Sequence, residues 1–176
     1  MKNSIFSRVK LLTGVMFVAS LLMLTGCFNP SKPETPSLPE GVTSLSADDT
    51  LIGTWEGGSA EYPESYTITT TSFSNGYYEG NELKVEKTSD TAGYIYIKYT
   101  KSMNADWTYS ETAPDVGKWY AISYKNLTNT TISLSGAYSS AEGAKTSTET
   151  LEEAKKEFTI ENGYFGFYSE LTKKVE

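Results

Sequence analysis

Enzyme chemistry usually draws on groups that move protons, attack carbonyls or hold metals, and this sequence has few of them. Its 176 residues include no histidine, one cysteine, and 22 aspartates and glutamates. Without histidine there is no Ser-His-Asp or Cys-His arrangement and no zinc site of the His/Cys kind. Two carboxylates about 5–9 Å apart can hydrolyse a glycoside, but no spacing in the chain sets two of them together. Asp48-Asp49 reads as a turn. No Asp-x-Asp-x-Asp-Gly calcium loop, Gly-x-x-x-x-Gly-Lys phosphate loop or Gly-x-Ser-x-Gly elbow occurs. The expectation is a protein that is not an enzyme and needs neither cofactor nor metal.

The reactive side chain with a telling context is Cys27. Lys2, Arg8 and Lys10 precede an uncharged run from Leu11 to Leu24, and small residues follow. A basic start, a short apolar run and a small-residue end describe a secretory signal. The run falls short of the roughly 20 residues that span a bilayer. Leu24-Thr25-Gly26-Cys27 then resembles the bacterial lipoprotein box. The resemblance implies that Cys27 is alkylated by a diacylglyceryl group, that residues 1–26 are cut away, and that several acyl chains fix the protein to a membrane. Phe28 is not the Asp-type retention signal of enteric lipoproteins, so an outer membrane is preferred, with the face left open.

Loss of the leader removes three positive charges and no negative one, turning a net charge of −7 into −10. That balance argues against nucleic acid, whose phosphates need Lys and Arg, and against a polybasic grip on anionic lipid. Residues 27–47 then read as a tether. Pro30, Pro33, Pro36 and Pro39 recur every three residues, the repeat of a polyproline II helix.

Residues 48–176 read as one folded domain. Period-two alternation of β-forming residues predicts strands at Leu51–Glu56, Ser65–Phe73, Tyr77–Gly80, Glu82–Lys87, Tyr94–Lys101, Trp107–Ser110, Lys118–Lys125 and Thr130–Ser135. Asn75-Gly76 is a hairpin signal, and Ala92-Gly93 and Asp115-Val116-Gly117 read as breakers. Each strand has one apolar and one polar face, the mark of an antiparallel sheet. Thr150-Leu151-Glu152-Glu153 is a capping box, and Leu151, Ala154 and Phe158 share a helix face. The preferred reading carries that helix to a stop at Asn162-Gly163, followed by a last strand at Tyr164–Ser169. The competing one ends it at Glu157 and makes Asn162-Gly163 a hairpin turn. The fold class expected is mainly β, an antiparallel up-and-down β-barrel with one helix near the C-terminus.

Gly53-Thr54-Trp55 opens the first strand of that domain. Here the chain resembles the lipocalin and calycin group, which places Gly-x-Trp at the start of the first barrel strand. The resemblance implies that Trp55 plugs the closed end and that the barrel holds one small apolar ligand. It departs from the group in lacking a Thr-Asp-Tyr motif and a late Arg to stack on the Trp. An eight-stranded barrel has room for its own side chains or one small ligand. The dry faces nominate Ile68, Val85, Ile95, Ile97, Tyr99, Tyr120, Ile122, Tyr124 and Ile132, with Trp55, as lining. The 13 tyrosines suggest a second function. Tyr77, Tyr78, Tyr94, Tyr96, Tyr109, Trp107 and Trp119 on outer faces or rims would make an adhesive or structural surface, since exposed Tyr and Trp anchor interfaces.

Overall fold

The computed structural model describes residues 37–175. Cys27, the leader and the first three tether prolines lie outside them. Ten strands form: β1 (Val42–Thr43), β2 (Gly53–Gly58), β3 (Pro63–Ile68), β4 (Phe73–Ser74), β5 (Glu79–Ser89), β6 (Ala92–Met103), β7 (Tyr109–Ser110), β8 (Trp119–Lys125), β9 (Thr131–Gly136) and β10 (Ser169–Lys173). One helix, α1 (Leu151–Glu157), lies between β9 and β10.

Every pairing is antiparallel, and β10 returns to β2, closing a ring of β2, β3, β4, β5, β6, β8, β9 and β10. Ring order follows chain order, so this is an up-and-down barrel of eight strands. Closure removes the edges that an open sheet of these strands would expose. Outside the ring, β1 pairs with β5 and β7 folds back on the far end of β6. Packing therefore reaches back into the segment read as tether, where Val42 and Leu45 are buried.

The register sorts the faces. Ile95 pairs with Val85 and Ile122, and Ile97 with Tyr120. Tyr124 pairs with Leu134, and Ile132 with Leu171. These side chains form the barrel interior together with Trp55, Ile68 and Phe73. Gly93, expected as a breaker, lies inside β6. A Cβ there would run into the Glu86 backbone carbonyl and sit 2.8 Å from the Tyr124 hydroxyl, so the missing side chain makes room for β5 and for that ring.

Three expectations are corrected. The long strand Ser65–Phe73 is two, because Thr69 and Ser72 form a turn: their hydroxyls are 2.7 Å apart and the Thr69 amide donates to the Ser72 carbonyl at 2.9 Å. Of the strand expected at Tyr77–Gly80 only Glu79 and Gly80 are extended, and with Glu82–Lys87 they belong to one strand, β5, which continues through a bulge where Glu82 takes φ +51°. The outward face of β8, and Tyr96 on that of β6, are not wet. Tyr96, Trp119, Ala121 and Ser123 are buried on the outside beneath α1 and the chain that follows it. Phe165 meets Tyr94 at 5.5 Å between ring centroids, and the Tyr168 hydroxyl bonds Ser123 at 2.9 Å.

That cover explains the C-terminal region. The Thr150 capping box forms, with the Thr150 side chain accepting from Glu153 and the Glu153 carboxylate accepting from the Thr150 amide. The helix stops at Glu157, and no hairpin follows. Asn162 instead turns its side-chain amide onto the Lys156 and Glu157 carbonyls at 3.1 and 2.7 Å, satisfying groups left open at a helix end. Tyr164 and Phe165, whose alternation resembled a strand, are buried as this cover. The closing strand comes later, around Leu171.

Candidate ligand site at the barrel mouth

The two ends of the barrel differ. At one end Trp55 is fully buried, and its indole N–H donates to the Leu51 carbonyl at 3.0 Å. Lys173 lies over the ring with Nζ 4.9 Å from the centroid and donates to the Thr50 carbonyl at 3.0 Å. This chain thus lays a lysine on the tryptophan where the lipocalin resemblance leads one to look for arginine. Gly53 permits the stack: its φ is +143°, and a Cβ there would stand 2.5 Å from Lys173 Cε. The Gly-x-Trp spacing follows, because Gly53 and Trp55 are both inward on β2 and Trp55 registers with Lys173. This end is closed.

At the other end the β4–β5 turn, the β6–β7 hairpin and the β9–α1 connection surround a cavity of about 450 Å³. Tyr78, Tyr99, Tyr109, Tyr120 and Tyr138 line it with Met103 and Asp115. The rings brace one another. Tyr99 and Tyr120 stack at 4.9 Å with 24° between planes, and Tyr78 stands edge-on to Tyr120 at 5.3 Å. Such pairs add to the stabilisation from burial alone. The Tyr120 hydroxyl donates to the Ala137 carbonyl at 3.1 Å. Burial, reinforced by the neighbouring rings, pushes the Tyr78 and Tyr99 hydroxyls well above their ordinary value. Burial likewise raises Tyr120, so this trio stays neutral at physiological pH. Asp115 accepts from the Thr146 and Ser147 hydroxyls, each at 2.7 Å.

The residues nominated from sequence divide between these regions. Trp55, Ile68, Val85, Ile95, Ile97, Ile122, Tyr124 and Ile132 are buried. None of the eight borders the mouth cavity; Ile132 also edges a separate depression over β9 and β10. Tyr99 and Tyr120 do line the mouth. Among the described residues the Tyr124 hydroxyl is buried with no hydrogen-bond partner. Tyr78 and Tyr109, read as rim residues, belong to the cavity. Met103, Asp115 and Tyr138 were not nominated. Asp115 had registered only as part of a breaker, and nothing in local sequence brings it to Tyr99. Of the other expected rim aromatics, Tyr77 and Trp107 are exposed, whereas Tyr96 and Trp119 are buried by the outer cover. Among the described residues no three His, Cys, Asp or Glu side chains converge as a metal site requires. Comparison of the chain with family models, curated proteins and solved structures returned no match.

Proposed function

We propose that this chain is a lipid-anchored envelope protein, held to a bilayer through Cys27, whose barrel carries a small, largely apolar ligand at its open end without altering it chemically. The observation that carries the reading is the tyrosine-lined cavity of about 450 Å³ at the mouth of an otherwise side-chain-filled barrel. A concave, mainly apolar site with a few polar groups is the usual form of a small-molecule site. The closed eight-stranded ring, its sequential order and the Gly53–Trp55 plug support kinship with the lipocalin group. The lipoprotein box supports the anchor, and Phe28 favours the outer membrane.

Native mass spectrometry of the gently purified full chain tests the carrier reading. A stoichiometric small molecule that disappears on solvent extraction supports it, and a bare protein mass counts against it. Cys27→Ser tests the anchor: fatty-acid labelling should vanish, and unchanged labelling would overturn that part.

One observation favours a second reading. Tyr62, Tyr77, Trp107, Tyr138 and Phe167 are exposed, all in connections at the mouth end. Such a crown suits an adhesive or structural surface that grips a macromolecule, with no internal ligand.

A further inference from the structure

The geometry at the mouth points to an organic cation, an amine or quaternary ammonium of modest size, as the ligand class that the tyrosine cavity takes. This inference rests on the reading of the mouth as a ligand site. Two observations carry it. The cavity presents five phenol rings, Tyr78, Tyr99, Tyr109, Tyr120 and Tyr138, with the Met103 thioether. The negative face of an aromatic ring attracts a cation, and cages of such rings recognise quaternary ammonium groups.

The lining also holds one charged side chain, and it is acidic. Asp115 lines the cavity, and no lysine does. The nearest base, Lys118, is 3.8 Å from Asp115 but also 3.6 Å from Glu149, so acids outnumber bases there. A carboxylate or phosphate ligand would meet Asp115 with no lining base to receive it.

Some polar groups of the lining are, moreover, engaged with the protein. The Asn104 amide donates to Thr108 and Ser110 at 3.0 and 3.2 Å. Thr146 donates to Asp115, and Tyr120 to Ala137. A quaternary ammonium needs no hydrogen-bond partner: it asks for aromatic rings and a nearby negative charge, and the lining holds five phenols and Asp115.

The test is isothermal titration calorimetry on the full chain in a non-ionic detergent. The probes are choline and 3,3-dimethylbutan-1-ol, which has nearly the same shape without the charge. Choline should bind one to one and at least tenfold more tightly than the alcohol. Asp115→Asn should weaken choline at least threefold and leave the alcohol unchanged. Tyr109→Leu, at a position that is 37% exposed, should weaken choline, and Tyr109→Phe should restore it. Equal affinity for the two probes would overturn the cation inference and leave a ligand site in place. Heat from neither probe, with a retained molecule in native mass spectra, would do the same. Heat from neither and a bare native mass would overturn both readings.

Discussion

Gly53→Ala probes the closed end of the barrel directly. The backbone at this position has φ +143°, and an alanine Cβ would lie 2.5 Å from Lys173 Cε. Two costs follow. Holding an L-residue in that region costs about 2 kcal/mol. Displacing Lys173 loses its stack on Trp55, about 1 kcal/mol, and its hydrogen bond to Thr50, about another 1 kcal/mol. Together these put Gly53→Ala near 4 kcal/mol of destabilisation, about half of it routed through Lys173. The assay is equilibrium urea unfolding of Gly53→Ala, Lys173→Ala and the double variant. If the clash is real, Gly53→Ala should cost only about 2 kcal/mol once Lys173 is gone, a coupling of about 2 kcal/mol. A cost that is the same in both backgrounds would refute the argument that this glycine exists to admit the lysine. A cost below about 1 kcal/mol in the parent would refute the strain argument as well.

Thr150→Ala removes the reciprocal cap of α1 and should lower stability by about 1 kcal/mol in urea unfolding, with Glu153→Ala giving a loss in the same range. Tyr124→Phe removes a buried hydroxyl without a protein partner and should raise stability by about 1 kcal/mol; a loss would mean that the hydroxyl is satisfied. Burial lifts the Tyr66 and Tyr124 hydroxyls from the ordinary 10 to about 12. Because the folded values are the higher, their contribution is intact below pH 10 and is lost as the pH rises towards 12. Alkaline unfolding followed by circular dichroism should therefore move to higher pH in the Tyr66→Phe, Tyr124→Phe double variant, and an unchanged midpoint would contradict the assignment.

Much of the barrel was legible because period two reports directly on a pleated strand. Ile95, Ile97, Ile122 and Tyr124 face inward as the alternation required. The pattern says which face is dry, but not whether the other is wet. Trp119–Lys125 alternates in polarity, yet Ala121 and Ser123 are buried because a later segment lies over them. That segment in turn explains the misread last strand: Tyr164 and Phe165 satisfy a strand's residue preferences while serving as a cover. The capping box was readable because it is local, as was the Asn75-Gly76 turn. The mouth was half readable. Its tyrosines stood out by number, but Asp115 and Tyr138 reach the cavity from loops about 20 residues apart, before β8 and after β9, and the antiparallel pairing of those strands unites them. Lys173 on Trp55 is not legible in the lipocalin pattern for a chemical reason: that pattern has an arginine, while a lysine of suitable reach also supplies a cation to the ring.

The central claim is that a ligand sits at the mouth and not among the interior isoleucines. Met103 lines the mouth and is the one methionine among the described residues, so its methyl group reports on that cavity. Methyl-resolved NMR of the chain, titrated with choline and then with 3,3-dimethylbutan-1-ol, would follow Met103 against Ile95, Ile97 and Ile122. The account predicts saturable movement of the Met103 methyl with the isoleucine signals in place. Movement of the isoleucines, or of no signal at all, would contradict it.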